Sequence, residues 1–342
     1  MKNKLCVIIP YFGTFPDTIN IFLKSVSLNP QIDWLFFTDC QHDNLPQNVK
    51  FITTTLAELK KLIETKLNMT IVLETAYKVC DYRPAFGIVF EDYLKDYDFW
   101  GYGDIDLVYG DLSHFITDEI CDKYDKLYPC GHLSFIKNKK EINEIFKKDV
   151  KGTQDYREVF SVNKPCIFDE YKGLNEKLLA YDFKIFSPFN FVDIDIIYSR
   201  FRRVDKKTIN LVFKNYPFKK YMPKNYNNQI FYWQNGKTFS TFKVSGNALQ
   251  TVEVLYIHYR KKISFNNCSL NNNKYYITNS GFFESYEDSV TITDIYKYNN
   301  YPCYLIELLE YLTAVKNHIT TTLGKNKTLR NIIRAIKGKH RL

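Results

Sequence analysis

The first hundred residues of the chain alternate short apolar runs with stretches of helical periodicity. Residues 5–10, 34–38 and 49–53 are apolar runs of strand length, and a capping box at Thr55 and Glu58 opens a helix after the third run. Another aromatic run, residues 97–102, follows a second helical stretch. This alternation predicts an α/β fold in which a mixed, mainly parallel sheet is flanked by helices.

The composition is that of a large globular domain. The 342 residues are 45% hydrophobic, which is enough to bury a core. The eight cysteines are irregularly spaced and include no Cys-x-x-Cys pair, so we expect reduced thiols in a cytoplasmic protein. The apolar run near the N-terminus is too short for a secretion signal, and no run reaches membrane-spanning length.

The net charge of +9 comes from an excess of lysine and arginine in the second half of the chain. We expect residues 1–290 to form the main domain and residues 291–342 to form a basic helical extension. In that extension Leu329, Ile332 and Ile336 recur at helical spacing among lysines and arginines. Such a helix suits contact with a membrane surface, and packing against the domain is the alternative.

A pair of aspartates follows the aromatic run. Ligands of α/β sheets bind beyond the carboxyl ends of the strands, so polar residues at those ends are the candidates for a site. Asp104 and Asp106 occupy this position, directly after Gly101 and Gly103. Mg²⁺ and Mn²⁺ prefer oxygen ligands, and two carboxylates at this spacing can supply them.

Two other aspartate pairs have the same spacing. Asp96 and Asp98 flank the start of the aromatic run, at the end of the strand that faces away from a ligand cleft. Asp193 and Asp195 follow an apolar run, but in a less clear α/β setting. Context therefore favours the pair at residues 104 and 106 as the metal-binding one.

The residues around this pair resemble a known family. Residues 77–87, YKVCDYRPAFG, and residues 99–112, FWGYGDIDLVYGDL, are similar to bacterial glycosyltransferases of the GT-A fold, which carry a DxD motif and usually occur with capsule and surface-polysaccharide genes. The similarity extends over about residues 1–290, through GHLS at 131–134, FDE at 168–170 and LYIHY at 255–259.

This resemblance implies a GT-A-like, Rossmann-like fold and the transfer of a hexose-type sugar from a UDP-sugar. The acceptor would be a saccharide or a lipid-linked saccharide, at the inner face of the cytoplasmic membrane. The resemblance also implies that Asp104 and Asp106 hold Mn²⁺ or Mg²⁺ with the donor diphosphate, with Ile105 between them in the donor site.

Further residues gain expected roles from their positions and from the resemblance. His258 would complete the metal site, unless it is a buried strand histidine. Asp81 and Arg83 would face the donor sugar and pyrophosphate, unless they form an ion pair at a helix end. Arg260 or Lys261 would meet the diphosphate, unless both lie at a solvated strand end.

The residues that end the first two strands are candidates for binding the nucleoside. Pro10, Tyr11 and Phe12 end the first strand, and Asp39 ends the second. An aromatic ring here can stack on a base, and a carboxylate can accept hydrogen bonds from uracil N3–H or from ribose hydroxyls. Core packing is the alternative for the two rings.

Asp169 and Glu170 are the candidates for the acceptor side. An inverting transferase needs a general base near the acceptor hydroxyl, whereas a retaining one does not, and the sequence leaves both open. Asp169 is alternatively the N-cap of the next helix. His132 is either a sugar contact or a structural residue.

Two other functions compete with glycosyl transfer. A sugar nucleotidyltransferase needs a glycine-rich basic loop after the first strand, but residues 11–15 contain no lysine or arginine. A basic nucleic-acid-binding protein would explain the mixture of aromatic and basic residues at 213–221. No nucleic-acid motif accompanies that mixture, so we expect no nucleic-acid partner.

Overall fold

The computed structural model describes residues 1–194, 203–206, 216–222, 225–226, 228–260, 263, 265, 268–278 and 281–298. Within these residues the strands form sheets of seven, five and three strands. The strands are β1 (Leu5–Tyr11), β2 (Ile32–Thr38), β3 (Val49–Thr53), β4 (Phe99–Gly103), β5 (Leu107–Tyr109), β6 (Lys126–Leu127), β7 (Leu133–Lys137), β8 (Ile185–Phe186), β9 (Val192–Asp193), β10 (Gln229–Gln234), β11 (Lys237–Ser245), β12 (Ala248–Val254), β13 (Tyr256–His258), β14 (Lys274–Thr278) and β15 (Gly281–Glu284).

The seven-stranded sheet has the order β3-β2-β1-β4-β7-β6-β8. The first four of these strands run parallel to one another, β7 is antiparallel to both β4 and β6, and β8 is parallel to β6. The predicted α/β class with a mixed sheet is therefore confirmed. Antiparallel pairing is more extensive than the sequence predicted, because the five-stranded sheet, β12-β11-β10-β14-β15, is antiparallel throughout.

Helices pack on both faces of the seven-stranded sheet, and the last described helix packs on the five-stranded sheet. Those with described bounds are α1 (Ile19–Ser27), α2 (Leu56–Leu67), α3 (Phe86–Val89), α4 (Leu112–Phe115), α5 (Asp118–Lys123), α6 (Lys140–Asn143), α7 (Tyr156–Phe160), α8 (Leu174–Ala180) and α9 (Ile292–Tyr298). The capping box predicted for α2 is present. Thr55 Oγ1 accepts a hydrogen bond from the Glu58 amide at 3.2 Å, and the Glu58 carboxylate accepts one from the Thr55 amide at 2.8 Å.

Strand β1 shows why the parallel half of the sheet reads as a continuous apolar run. Leu5, Val7 and Ile9 pack into one hydrophobic cluster, which also contains residues of α1. Cys6 and Ile8, on the other face, pack into a second cluster with residues of α2. A parallel strand covered on both faces has no solvent-facing side, so the polar and apolar alternation of a surface strand is absent.

Two predicted segments take a different form from the one expected. The helical stretch before β4 is mostly 3-10 helix, over Ala76–Ala85 and Glu91–Tyr93, with only α3 in the α conformation. Pro84 explains part of this difference, since it lacks an amide proton and disfavours α geometry in the residue before it. The local pattern of residues 127–135 also predicts a single strand, but the structure has two strands, β6 and β7, because Tyr128 has a left-handed backbone with φ of 64°.

The three-stranded sheet, β5-β13-β9, lies next to the aspartate pair in the chain and joins distant segments. β13 pairs antiparallel with β5 and parallel with β9. This sheet begins immediately after residues 104–106, which themselves follow β4. The three-stranded sheet therefore links the carboxyl end of β4 to residues more than 80 positions later in the sequence.

Of the predicted C-terminal extension, the structure describes only the first turns. Helix α9 packs through the buried Ile295 against Ile230, Tyr232 and Tyr276 of the five-stranded sheet. Residues 299–342, including the predicted basic helix, lie outside the described residues. Among the described helices, none combines the length and the apolar character that crossing a bilayer requires.

Candidate metal centre

Asp104, Ile105 and Asp106 form the connection between β4 and β5. The Asp104 amide donates a hydrogen bond to the His132 carbonyl at 3.1 Å, which holds the connection against the start of β7. The Asp104 side chain is 30% exposed, whereas that of Asp106 is buried. Ile105 points into the apolar core between them. We therefore assign Ile105 to the core rather than to the donor site where the sequence had placed it.

His258 lies beside Asp106 because of the strand register. His258 pairs with Leu107 across β13 and β5, and the Tyr259 amide donates to the Asp106 carbonyl at 3.1 Å. His258 Nε2 lies 3.4 Å from Asp106 Oδ1. One ligand atom from each of Asp104, Asp106 and His258 can be chosen so that all three lie within 4.8 Å of one another. The structure thus brings together the three residues that the sequence proposed as metal ligands.

The charge balance around His258 is strongly acidic. Burial by itself would lower the pKa of His258, but the carboxylates of Asp106 and Asp193 outweigh it and raise the pKa to about 10. The imidazole is therefore protonated at neutral pH in the metal-free protein. A divalent cation would take the place of that proton, because a histidine ligand binds metal in its neutral form.

Asp193 is a neighbour of this cluster that the sequence analysis set aside. Asp193 lies on β9, directly opposite His258 in the register of β9 and β13. Its carboxylate accepts a hydrogen bond from His258 Nδ1 at 2.9 Å. The aspartate pair at 193 and 195 was the available signal, but its strand setting was not evident from the sequence. Asp195 lies outside the described residues.

Arg260 contacts Asp193 and not an open diphosphate site. One terminal nitrogen of its guanidinium donates to both carboxylate oxygens of Asp193, each at 3.0 Å, and Nε donates to the Ile194 carbonyl at 2.8 Å. Although burial opposes the shift, Arg260 and His258 hold the pKa of Asp193 well below its usual range. The structure therefore places Arg260 against Asp193, and Lys261, the other residue predicted to meet the diphosphate, lies outside the described residues.

His132 is buried behind His258. The two rings are 4.7 Å apart between centroids, and His132 Nδ1 lies 2.6 Å from the Tyr256 hydroxyl. Burial lowers the pKa of His132 to about 3, and the neighbouring His258 adds to this effect. His132 is therefore neutral and inside the protein, which favours the structural interpretation over the sugar contact.

Arg83 connects the metal centre to the predicted acceptor side. Its guanidinium contacts the Asp104 carboxylate and donates at 3.0 Å both to Asp169 Oδ2 and to the Gly131 carbonyl. Burial raises the pKa of Asp169, although Arg83 opposes the shift. Asp169 does not cap a helix, because α8 begins five residues later, at Leu174, with Gly173 as its N-cap.

Glu170 lies next to this network and accepts a hydrogen bond from the Gly131 amide. Burial, together with the charge of Asp169, raises the pKa of Glu170 to about 7. Gly131 has no room for a side chain, since a Cβ there would lie 2.5 Å from Asp169 Oδ2 and 2.8 Å from Glu170 Oε1. This close approach is the physical reason for a glycine at that position.

Asp81 is buried, and its carboxylate is bonded within the protein. Its carboxylate accepts hydrogen bonds from Lys78 Nζ at 2.8 Å and from the backbone amides of Cys166 and Phe168 at 2.8 and 3.1 Å. Both side chains of the Lys78–Asp81 pair are fully buried. The sequence placed Asp81 at the donor, but these contacts assign it to holding the loop before Asp169.

The predicted nucleoside-binding residues meet at the carboxyl ends of β1 and β2. Pro10 pairs with Phe37 and Tyr11 with Thr38 in the parallel register. The Asp39 carboxylate accepts a hydrogen bond from the Gly13 amide at 2.9 Å, and the Tyr11 ring stacks on Phe15 at 5.0 Å. Pro10, Tyr11 and Phe12 are half-buried and Asp39 is exposed, so this edge of the sheet keeps an accessible polar and aromatic surface.

The aromatic residues of the basic segment at 213–221 divide into two groups. Tyr216 and Phe218 are buried in the core cluster that also contains β1, whereas Tyr221 is half exposed. Residues 213–215 of this segment lie outside the described part of the chain. The two buried rings are not available to stack on nucleic-acid bases.

The fold and the site together define a mixed α/β protein with an acidic, histidine-containing cluster at the carboxyl edge of its parallel strands. Residues 7–286 match a family of unknown function (DUF6625), and the chain belongs to that family. A search of curated proteins found no match.

Proposed function

We propose that the protein is a metal-dependent glycosyltransferase with a GT-A-like fold, which moves a hexose-type sugar from a UDP-sugar to a saccharide acceptor. The observation that carries this proposal is the convergence of Asp104, Asp106 and His258. The strands β1, β2 and β4 are parallel, so the residues that follow them lie at the same edge of the seven-stranded sheet. A nucleotide sugar can therefore place its base near Tyr11 and its diphosphate near the two aspartates.

The donor set fits a divalent cation. Two carboxylates and one imidazole are ligands that Mn²⁺ accepts readily, and Mg²⁺ accepts the carboxylates. When bound, the cation stabilises the negative charge that develops on the departing nucleoside diphosphate. Arg83 contacts the Asp104 carboxylate, so it fixes the orientation of the outer, partly exposed ligand.

Glu170 and Asp169 supply the acceptor side of the proposal. A carboxyl whose pKa is about 7 can both take and release a proton near neutral pH. Glu170 would accept the proton of the attacking hydroxyl in an inverting reaction. Asp169 is held by Arg83 and would orient Glu170 through the segment that contains Gly131.

The cellular setting belongs to the same proposal. A donor of this kind is used in the cytoplasm, and an acceptor on a lipid carrier would place the protein peripherally on the inner membrane face in surface or capsular polysaccharide synthesis. The predicted basic helix, among residues 299–342, would make that contact.

The direct test is a thermal-shift panel of nucleotide sugars with and without Mn²⁺. A donor that binds only the folded state stabilises it by about 2.7 kcal/mol at a concentration 100 times its Kd. We expect stabilisation by a UDP-sugar that depends on Mn²⁺. Stabilisation by a nucleoside triphosphate together with a sugar phosphate would instead favour a sugar nucleotidyltransferase. Salt-sensitive RNA binding without affinity for UDP would favour a nucleic-acid-binding protein.

Measurements of turnover test the two aspartates proposed as metal ligands. With the donor identified by the panel, Asp104→Ala and Asp106→Ala should each lower Mn²⁺-dependent transfer or hydrolysis by about 100-fold or more, since a metal contributes several kcal/mol. Asp96→Ala is the matched control. Asp96 is exposed and belongs to the pair Asp96 and Asp98, which has the same spacing as Asp104 and Asp106 but lies at the other end of β4. Full turnover in the two site variants would contradict the proposal.

A further inference from the structure

His258 lies between two groups of possible metal ligands. On one side are Asp104 and Asp106, and on the other are His132 and Asp193. Each group includes His258 and has ligand atoms within 4.8 Å of one another. Nε2 faces Asp106 and Nδ1 faces Asp193, so one imidazole nitrogen is directed at each group.

The contacts of Asp193 exclude it as a direct ligand. Arg260 donates to both of its carboxylate oxygens at 3.0 Å, and Oδ1 also accepts from His258 Nδ1 at 2.9 Å. A guanidinium on both oxygens places a positive charge where a cation would have to sit. Asp193 is committed to Arg260 and to His258.

His132 lacks a free carboxylate with which to share a cation, because the nearby Asp193 Oδ2 already accepts from Arg260. Its Nδ1 is engaged with the Tyr256 hydroxyl at 2.6 Å, and its Nε2 is 4.0 Å from Asp193 Oδ2. Its ring packs against His258 at 4.7 Å and is buried. His132 therefore packs directly behind the His258 ring.

The backbone fixes this arrangement. His258 and Asp193 face each other in the parallel register of β13 and β9, and the Ile194 amide donates to the His258 carbonyl at 3.1 Å. On the other side, β5 holds Asp106 beside His258. The carboxylate that contacts Nδ1 thus comes from β9, and the one near Nε2 comes from the residue directly before β5, the other strand that flanks β13.

We propose that Asp193 is a positioning residue for the metal centre. It accepts the Nδ1–H of His258, which fixes the ring and turns Nε2 toward a cation shared with Asp104 and Asp106. Arg260 in turn fixes Asp193. A carboxylate behind a histidine ligand raises the basicity of the ligand and sets its orientation, and removing such a partner weakens metal affinity by about 10–100-fold. The inference rests on the proposed metal centre but not on the transferred group.

The test measures Mn²⁺ binding directly, with Mn²⁺ alone as the probe and the loss of the free-ion electron paramagnetic resonance signal as the readout. Asp193→Asn should weaken Mn²⁺ binding by about 10-fold or more. Asp193→Ala should weaken it further, because asparagine still offers Nδ1–H an acceptor oxygen. The control Asp125→Asn alters a carboxylate that accepts from the Lys184 amide and should leave Mn²⁺ affinity unchanged.

A double-mutant cycle separates positioning from direct ligation. If Asp193 acts only through His258, then in a His258→Ala background Asp193→Asn should change Mn²⁺ affinity by less than about twofold. An undiminished effect in that background, or no effect of Asp193→Asn in the otherwise native chain, would overturn the inference. His132→Gln should change Mn²⁺ affinity by less than about twofold. If His132→Gln instead weakens Mn²⁺ binding as much as Asp106→Ala does, the group of His132, Asp193 and His258 is the metal site.

These outcomes are distinct from failure of the proposed activity. Protein that binds Mn²⁺ in the expected order of variants but turns over no nucleotide sugar supports the role of Asp193 and contradicts glycosyl transfer. Native protein that binds no Mn²⁺ overturns the role of Asp193 together with the metal centre. Chemical denaturation of each variant without added metal shows whether that variant is folded, so that the compared Mn²⁺ affinities are those of folded protein.

Discussion

Two clusters of charged residues lie close to the 3-10 helix Ala76–Ala85 and differ in how completely they are buried. In the first, Asp81 is buried and receives three hydrogen bonds, from Lys78 and from two backbone amides. Lys78 donates to the Val159 and Lys164 carbonyls as well. In the second, Arg83 contacts the partly exposed Asp104, and Asp106 lies 3.4 Å from His258 Nε2.

The difference shows which acidic cluster has capacity for a ligand. The Lys78–Asp81 pair is closed, because its charges cancel and its polar atoms are bonded within the protein. The Asp104–Asp106–His258 cluster is partly exposed through Asp104 and holds a proton on His258 that a cation can replace. Similar residue types therefore serve the fold in one place and a candidate site in the other.

The largest expected effect is on stability, at the closed cluster. Asp81→Ala leaves the Lys78 ammonium buried without its carboxylate, which should lower the free energy of unfolding by about 3–5 kcal/mol. Chemical denaturation measures this loss. The control Asp92→Ala removes an exposed pair with Lys66 and should leave the free energy almost unchanged.

The same variant sharpens the comparison through its response to metal. Saturating Mn²⁺, at 100 times its Kd, should add about 2.7 kcal/mol to the unfolding free energy of both the native protein and Asp81→Ala. If Asp81→Ala loses the Mn²⁺ response while it remains folded, the two clusters are not independent.

An intermediate effect is expected at the junction between the two clusters. Gly131→Ala would place a Cβ 2.5 Å from Asp169 Oδ2 and 2.9 Å from the Arg83 guanidinium. Overpacking of this kind costs about 1–3 kcal/mol and should displace Asp169 and Glu170, so turnover should fall with stability. Denaturation and steady-state kinetics measure the two losses.

Gly246→Ala is the matched control for crowding. Gly246 has a left-handed φ of 51°, and a Cβ added there would meet no atom within 4 Å beyond its chain neighbours, so only backbone strain of about 1 kcal/mol is expected. Turnover in Gly246→Ala should equal that of the native protein. Equal losses in both variants would mean that crowding at Gly131 is not the cause.

The smallest expected effect concerns the pH dependence of stability at Glu170. Because burial and Asp169 raise its pKa from 4.5 to about 7, folded protein retains this proton where the unfolded chain has released it. The resulting contribution is complete below about pH 4.5 and is lost as the pH rises through about 7. Over this pH range the unfolding free energy of the native protein should therefore decline relative to that of Glu170→Gln. Parallel plots of unfolding free energy against pH for the two proteins would contradict a raised pKa of Glu170.

Local patterns in the sequence determined a large part of the fold. The apolar runs predicted β1, β2, β3 and β4, and the Thr55–Glu58 box predicted the start of α2, because both signals depend on neighbours within a few residues. The hairpin of β10 and β11 also has a local signal, because the pair Asn235–Gly236 joins the two strands and Asn-Gly favours a tight hairpin turn. Asp104 and Asp106 could be placed at a strand end for the same local reason.

Only the tertiary structure decided which charged residues belong to the candidate site. Asp193 and His258 are 65 positions apart, and their contact exists because β9 pairs with β13, which no local pattern encodes. Asp81 and Arg83 are two positions apart, yet one is closed by Lys78 and the other reaches Asp104. Strand pairing and burial are nonlocal, so the sequence determined the candidates and the packing determined their partners.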